Sequence, residues 1–128
     1  MILLLDTSTS TCHLYFVEGE WQHETSWEAG RGLAKGLLGF LETELNSQGK
    51  TWNDITGLVV FKGPGSFTGL RIGATVCNTL AHANDWPIVG TMGDDWVGEG
   101  LRRLENGEND EIVLPEYGGE ANITKPRK

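Results

Sequence analysis

The stretch from residue 57 to residue 84 limits most severely what this chain can become. It opens with "GLVVF" (57–61), an unbroken apolar run of the kind that forms a strand buried on both faces. "GPGSFTGLRIG" (63–73) follows directly, with four glycines and one proline. Glycine permits left-handed backbone and Pro64 stiffens the turn, so the loop reads as a strand-to-helix junction. The helix expected over about 68–84 is apolar on two sides: Leu70, Ala74, Cys77 and Ala81 mark one, Ile72, Val76, Leu80 and Ala83 the other. A helix with two apolar sides is buried on two sides. A chain of 128 residues holds one domain, so few of its own elements remain to cover the second side.

The remaining segments supply a sheet for that helix. Ile2 to Leu5 form a second doubly apolar run ending at Asp6, and the hydroxyl-rich "TSTST" turns the chain. A strand over 12–17 places Leu14 and Phe16 on one face and Tyr15 and Val17 on the other. Gly19-Glu20 is a turn, and the weak alternation of 21–27 predicts an edge strand. From 32 to 45 the period lengthens: Leu33, Leu37, Leu41 and Leu45 recur every four residues, with Ala34 and Leu38 beside them. Gly32, Gly36 and Gly39 interrupt this helix at roughly 1 kcal/mol each against alanine, which reads as close approach by a neighbour or as a kink. "PIVGT" (87–91) is a short strand, and Pro87 is expected to end the helix before it. The sum is an α/β fold, β-β-β-α-β-α-β, with a mixed five-stranded sheet and parallel pairing in its second half. Beyond Met92 a short helix over 96–104, a solvated "NGENDE" linker, a last short strand in "EIVLPEY" and a polar tail are expected.

The glycine loop matches neither nucleotide motif. Gly63, Gly65 and Gly69 give G-x-G-x-x-x-G rather than the dinucleotide spacing, and no lysine follows as a phosphate-binding P-loop requires. Ser66 or Thr68 can cap the helix start, whose free N–H groups attract anions. Arg71 can pair with a carboxylate or a phosphate, or form a surface ion pair. Asp6, Thr7 and Ser8 at a strand end can sit beside a phosphate or metal, or merely cap a turn. His13, His23 and His82 share no ligand spacing, so no metal site is expected. No nucleophile–base pair emerges, and Asp94-Asp95 reads as a solvated pair.

A net charge of −8 repels nucleic acid phosphates, so any work on RNA would need a partner to grip it. Cys12 and Cys77 lack C-x-x-C spacing and read as reduced thiols. "MILLLD" is too short for a signal peptide, and no run approaches the ~20 apolar residues of a membrane span. The expectation is a soluble cytoplasmic protein.

"MILLLDTSTSTCHLYF" together with "GPGSFTGLRIGAT" closely resembles the bacterial TsaB (YeaZ) family, which helps to install threonylcarbamoyladenosine in tRNA. The loop is the specific element. The opening D-T-S is shared more loosely with the superfamily of sugar kinases, heat-shock proteins and actin (ASKHA, ribonuclease H-like). The resemblance covers residues 1 to about 92 and implies one ASKHA-like N-terminal lobe. Residues 93–128 would then be a reduced remnant of a second lobe plus a tail, in which "LPEY" and "ITKPRK" look like the family's ending. The first helix departs from the pattern, with Gly32 and Leu33 where relatives often carry His-Ser.

The resemblance further implies a noncatalytic subunit. It would have no catalytic residues, metal or cofactor of its own. ATP and metal would sit on partner subunits, because a single lobe lacks the interlobe cleft. The implied partners are a TsaD-like catalytic subunit and a TsaE-like ATPase, with a homodimer when alone, tRNA only indirectly and no membrane. Leu33, Leu37, Leu41, Ile72, Val76 and Leu80 would make the apolar interface contacts. The loop Gly63, Pro64, Gly65, Ser66, Phe67, Thr68, Gly69, Arg71 and Gly73 would shape the start of the second interface helix. The alternative is a small nucleotide- or phosphate-binding enzyme of the same superfamily using Asp6, Thr7 and Ser8. A peptidase finds no triad in these residues.

Overall fold

The computed structural model describes residues 1–116. Five strands, β1 (Ile2–Asp6), β2 (Thr11–Glu18), β3 (Trp21–Glu28), β4 (Gly57–Phe61) and β5 (Ile88–Thr91), form one sheet in the order β3-β2-β1-β4-β5. The hairpins β1/β2 and β2/β3 are antiparallel, and β1/β4 and β4/β5 are parallel, as the apolar runs and intervening helices require. Helices α1 (Leu33–Ser47) and α2 (Phe67–Asn84) cover one face, and α3 (Trp96–Glu105) packs on the other. Strand alternation divides the core accordingly. Leu3, Leu5, Leu14, Phe16, Leu58 and Val60 point toward α1 and α2, whereas Leu4, Val17, Val59 and Val89 meet Trp96 of α3. Trp96 stands edge-on to Tyr15 and Phe61, with ring centroids 5.7 and 5.6 Å away.

The glycines of α1 behave unequally. A Cβ at Gly36 would lie 2.7 Å from the Trp27 ring, which packs on Phe40, whereas Gly32 and Gly39 face open space. The close neighbour at Gly36 is thus the chain's own β3. Helix α2 stops before Pro87: Asp85 adopts the left-handed conformation at φ 59° and returns its N–H to Ala81. Pro87 only confirms an end already made.

The glycine loop binds the end of β1 to the start of α2. The Ser66 hydroxyl accepts the Gly69 N–H at 3.1 Å and caps the helix, so Ser66 and not Thr68 holds that position. Ser66 donates its own N–H to the Ser8 carbonyl at 2.8 Å. Thr7 is 2% exposed and donates its hydroxyl to the Gly69 carbonyl at 2.7 Å. Any Cβ at Gly69 would overlap the Thr7 carbonyl, one at Gly73 the Thr7 hydroxyl, and one at Gly65 would lie 2.5 Å from Ser8 Cβ. The glycines let two backbones approach more closely than any side chain allows.

The expected strand at 111–117 is absent from the described residues: 111–116 form no ladder, and Tyr117 lies outside them. The reason is that β5's outward edge is already paired. Asn109 and Asp110 side chains accept the Ile88 and Gly90 N–H groups at 3.1 and 2.9 Å. The Asp110 N–H and the Arg103 guanidinium donate to the Ile88 and Gly90 carbonyls at 2.8 and 3.0 Å. Val113 is buried beyond this edge, and the Asn78 side-chain amide satisfies both its backbone groups, at 2.9 and 3.0 Å. An edge whose groups are already taken, three by side chains and one by the Asp110 backbone N–H, offers no template for a further strand.

Two outcomes follow from these contacts. Gly73→Ala should cost about 1–3 kcal/mol in urea unfolding, and the double change Thr7→Ala/Gly73→Ala should cost less than the two single changes summed, since removing the Thr7 hydroxyl and methyl makes room for the new Cβ. The second concerns pH. Burial pushes the Asp110 carboxyl up, but its hydrogen bonds to Arg103 and Gly90 and the Arg103 and Lys62 charges outweigh that and hold it below its ordinary 3.8. A carboxylate with a depressed folded value stabilises fully above the unfolded value and loses that contribution as pH falls through the folded one. Thermal melts should therefore fall more steeply below about pH 4 for the native chain than for Asp110→Asn, and parallel curves would refute the assignment.

Candidate functional site

Three places can carry function: the end of β1, the two thiols and the outer face of α1 and α2. At the end of β1, Asp6 Oδ1 accepts the Ser8 N–H at 2.8 Å, forming a local turn, and the Thr7 hydroxyl is engaged with Gly69. The residues named for a phosphate are brought together with the glycine loop, but their polar atoms serve the junction. Both cysteines are free and buried. Burial, aided by Asp6, pushes the Cys12 thiol up to about 12, and burial, aided by Cys12, does the same to Cys77 at about 12. Neither thiol is poised as a nucleophile at neutral pH. His23 pairs with Glu44 at 3.4 Å and stacks on Phe16, His13 lies opposite Asp6 across β1/β2, and His82 is exposed near the end of α2. Among the described residues no group of three or more His, Cys, Asp or Glu side chains is placed to hold a metal ion.

The helix faces divide the apolar residues between core and surface. Leu33, Leu37 and Leu41, expected to touch a partner, are 6%, 0% and 0% exposed and fill the chain's own core with Leu45. They lie between α1 and the sheet, and of the three Leu33 alone also lines a surface hollow, beside Arg31 and Ala34. On α2 the side of Leu70, Ala74, Cys77 and Ala81 is buried, while Ile72, Val76 and Leu80 are half-buried and pack against the core's outer margin. On α1 and α2 the large apolar side chains that reach solvent include Leu38, at 52% exposure, Phe67 at the start of α2, at 56%, and the outer edges of Ile72 and Val76. Ala34, Thr68, Arg71, Ile72, Thr75 and Val76 line a shallow hollow of about 390 Å³ between the helices. The Arg71 guanidinium stands 5.5 Å from the Phe67 ring centre, a cation–π contact at the hollow's rim. Leu38 and Phe67 were not singled out as contacts by the sequence, although Leu38 falls one step off the leucine stripe, the offset that turns a residue about 100° toward solvent.

Within the motif loop, Gly63, Gly69 and Gly73 are buried, and Pro64, Gly65, Ser66, Phe67, Thr68 and Arg71 are exposed. The loop thus sets where α2 begins and presents Phe67, Thr68 and Arg71 outward. No described helix is long and apolar enough to cross a membrane.

Comparison with known proteins agrees with this geometry. The family model described as "TsaD: tRNA N6-adenosine threonylcarbamoyltransferase" matches residues 27–92, about half of the chain. The "tRNA threonylcarbamoyladenosine biosynthesis protein TsaB" of Haemophilus influenzae is 32% identical over 109 residues, 84% of this chain and 46% of that protein. Its Escherichia coli counterpart is 30% identical over 89 residues, 70% of this chain and 38% of that protein. Among solved structures, a Pseudomonas aeruginosa protein described as uncharacterized "with similarity to peptidase YEAZ" superposes with a TM-score of 0.67 at 28% identity, covering 71% of this chain and 42% of that one. "YeaZ from Pseudomonas aeruginosa" gives 0.64 at 27% identity, with 71% and 44% covered. The chain spans under half the length of these relatives. The mixed sheet flanked by helices, the glycine junction and these matches agree that the chain belongs to the TsaB (YeaZ) family.

Proposed function

We propose that this chain is a noncatalytic subunit of the machinery that makes N6-threonylcarbamoyladenosine in tRNA, docking on a larger TsaD-like catalytic subunit through the outer face of α1 and α2. The observation that carries this reading is the exposed Leu38 of α1 together with Ile72 and Val76 of α2, which line an open hollow between two helices whose inner faces are already satisfied by the sheet. Solvent-facing apolar side chains grouped beside a shallow concavity are what a protein interface uses at its centre. The names of the relatives place them in threonylcarbamoyladenosine biosynthesis, and the matching family model is that of the transferase itself.

In this reading residues 1–92 act as the docking lobe, with α3 closing the sheet's second face and the segment after it covering the β5 edge. ATP and metal belong to the TsaD-like and TsaE-like subunits, the chain alone pairs with a second copy through the same face, and tRNA is reached only through the assembly. The packing of Thr7 and the loop supports a structural rather than a catalytic part for the β1 end.

The test is a pair of substitutions one residue apart. Leu38→Glu should leave the melting temperature nearly unchanged and weaken binding to the TsaD-like protein of the same organism more than tenfold, a loss of about 1.4 kcal/mol or more. Leu37→Glu buries an unpaired charge in the core and should unfold the chain instead. If Leu38→Glu bound normally by light scattering and titration calorimetry, the docking face would lie elsewhere.

A further inference from the structure

The docking face carries a charge pattern opposite to that of the whole chain. Of 18 acidic residues none falls in residues 29–41 or 55–84, which include the first half of α1, the glycine loop and all of α2. The cations in these stretches that reach the outer helix surface are Arg31, Lys35 and Arg71, all exposed. None forms an ion pair with a carboxylate among the described residues, whereas Lys50, Arg102 and Arg103 each pair with one or more. Arg31 and Arg71 line adjoining hollows that share Ala34, Thr68 and Ile72, and Lys35 follows Arg31 by one helical turn. Three cations without carboxylate partners among the described residues therefore border the apolar centre.

We propose that this face recognises a protein surface of acidic character, its carboxylates meeting Arg31, Lys35 and Arg71 around an apolar contact with Leu38, Ile72 and Val76. The inference rests on the docking reading above and adds the chemistry of the partner. A chain with a net charge of −8 repels an acidic partner from most directions, and this island attracts it, so the island orients the encounter as well as the bound pair. A nucleic acid fits less well. A nucleic acid site with strong salt dependence neutralises about 6–10 phosphates, roughly twice or more what three cations provide, and α1 turns acidic at Glu42 and Glu44 just past them. A second copy fits less well too, because its α2 has no carboxylate to offer Arg71.

The experiment measures association rates by stopped flow between the purified chain and the TsaD-like protein of the same organism, from low to high salt. The native chain is compared with Arg31→Glu/Lys35→Glu/Arg71→Glu and with a control at the paired cations, Lys50→Glu/Arg102→Glu. The triple variant, at exposed sites, should keep its melting temperature and associate about tenfold or more slowly at low salt, with the difference shrinking as salt rises and the control unaffected. Binding that ignores both salt and the triple reversal overturns the acidic-partner proposal while leaving the docking reading intact. No binding by the native chain overturns both. Fluorescence titration with tRNA and sedimentation of the chain alone complete the test. Loss of tRNA binding, or of self-association, in the triple variant with unchanged partner kinetics would assign the cations to nucleic acid or to a second copy instead.

Discussion

The contact between Thr7 and the glycines of α2 determines where everything on the helical side of the sheet can sit. Thr7 follows the central strand directly, is almost fully buried, and holds the Gly69 carbonyl while Gly73 passes over its hydroxyl. A side chain at either glycine would push α2 away from the sheet. That would open the space filled by Cys77 and Ala81 and shift Ile72 and Val76 relative to α1. The D-T-S turn and the glycine loop therefore form one structural element, although some sixty residues separate them. A hydroxyl committed to a buried carbonyl is also a hydroxyl withdrawn from solvent and substrate, which is why close packing here weighs against chemistry at the same atoms.

A second constraint acts at the opposite end of the sheet order. β5 is an edge strand, and an open parallel edge with apolar residues on both faces invites pairing with another chain. Side chains from three residues occupy its outward groups, and the Asn78 amide reproduces for Val113 the two bonds that a neighbouring strand would have made. Association is thereby discouraged at the β5 edge. The helical face, for its part, keeps Leu38 of α1 half in solvent.

What the sequence made legible follows from how local each signal is. The doubly apolar runs of β1 and β4, the alternation of β2 and the four-residue leucine repeat of α1 each report burial through a short period, and all were read correctly as elements. The repeat could not say what the leucines were buried against. Leu33, Leu37 and Leu41 show the same spacing whether they face a sheet or a partner, and only the sheet's position separates the cases. The final segment failed for the complementary reason. Ile112, Val113 and Leu114 have strand character, and their exposures of 63%, 3% and 71% even alternate as a strand's do. The ladder partner is an asparagine side chain 35 residues away, a pairing with no periodic trace.

These constraints also limit how a docking face can be built on so small a fold. An interface of standard size buries about 800 Å² on each partner, and its energy is concentrated in a few well-packed residues. Here the large leucines are already committed to the core, so what remains is a narrow apolar strip flanked by charge. Such a strip gains modestly from the hydrophobic effect, at about 25 cal/mol per Å² before the losses of association are counted. Orientation must then come from elsewhere. In the proposed docking, fixed helix ends, a rigid hollow and cations that have no carboxylate partner among the described residues would supply it without reorganisation on binding. In the docking proposed above, the rigid Thr7–glycine junction would fix the start of α2, and Arg71 with it, before a partner arrives, lowering the ordering cost that so small a contact could not otherwise offset.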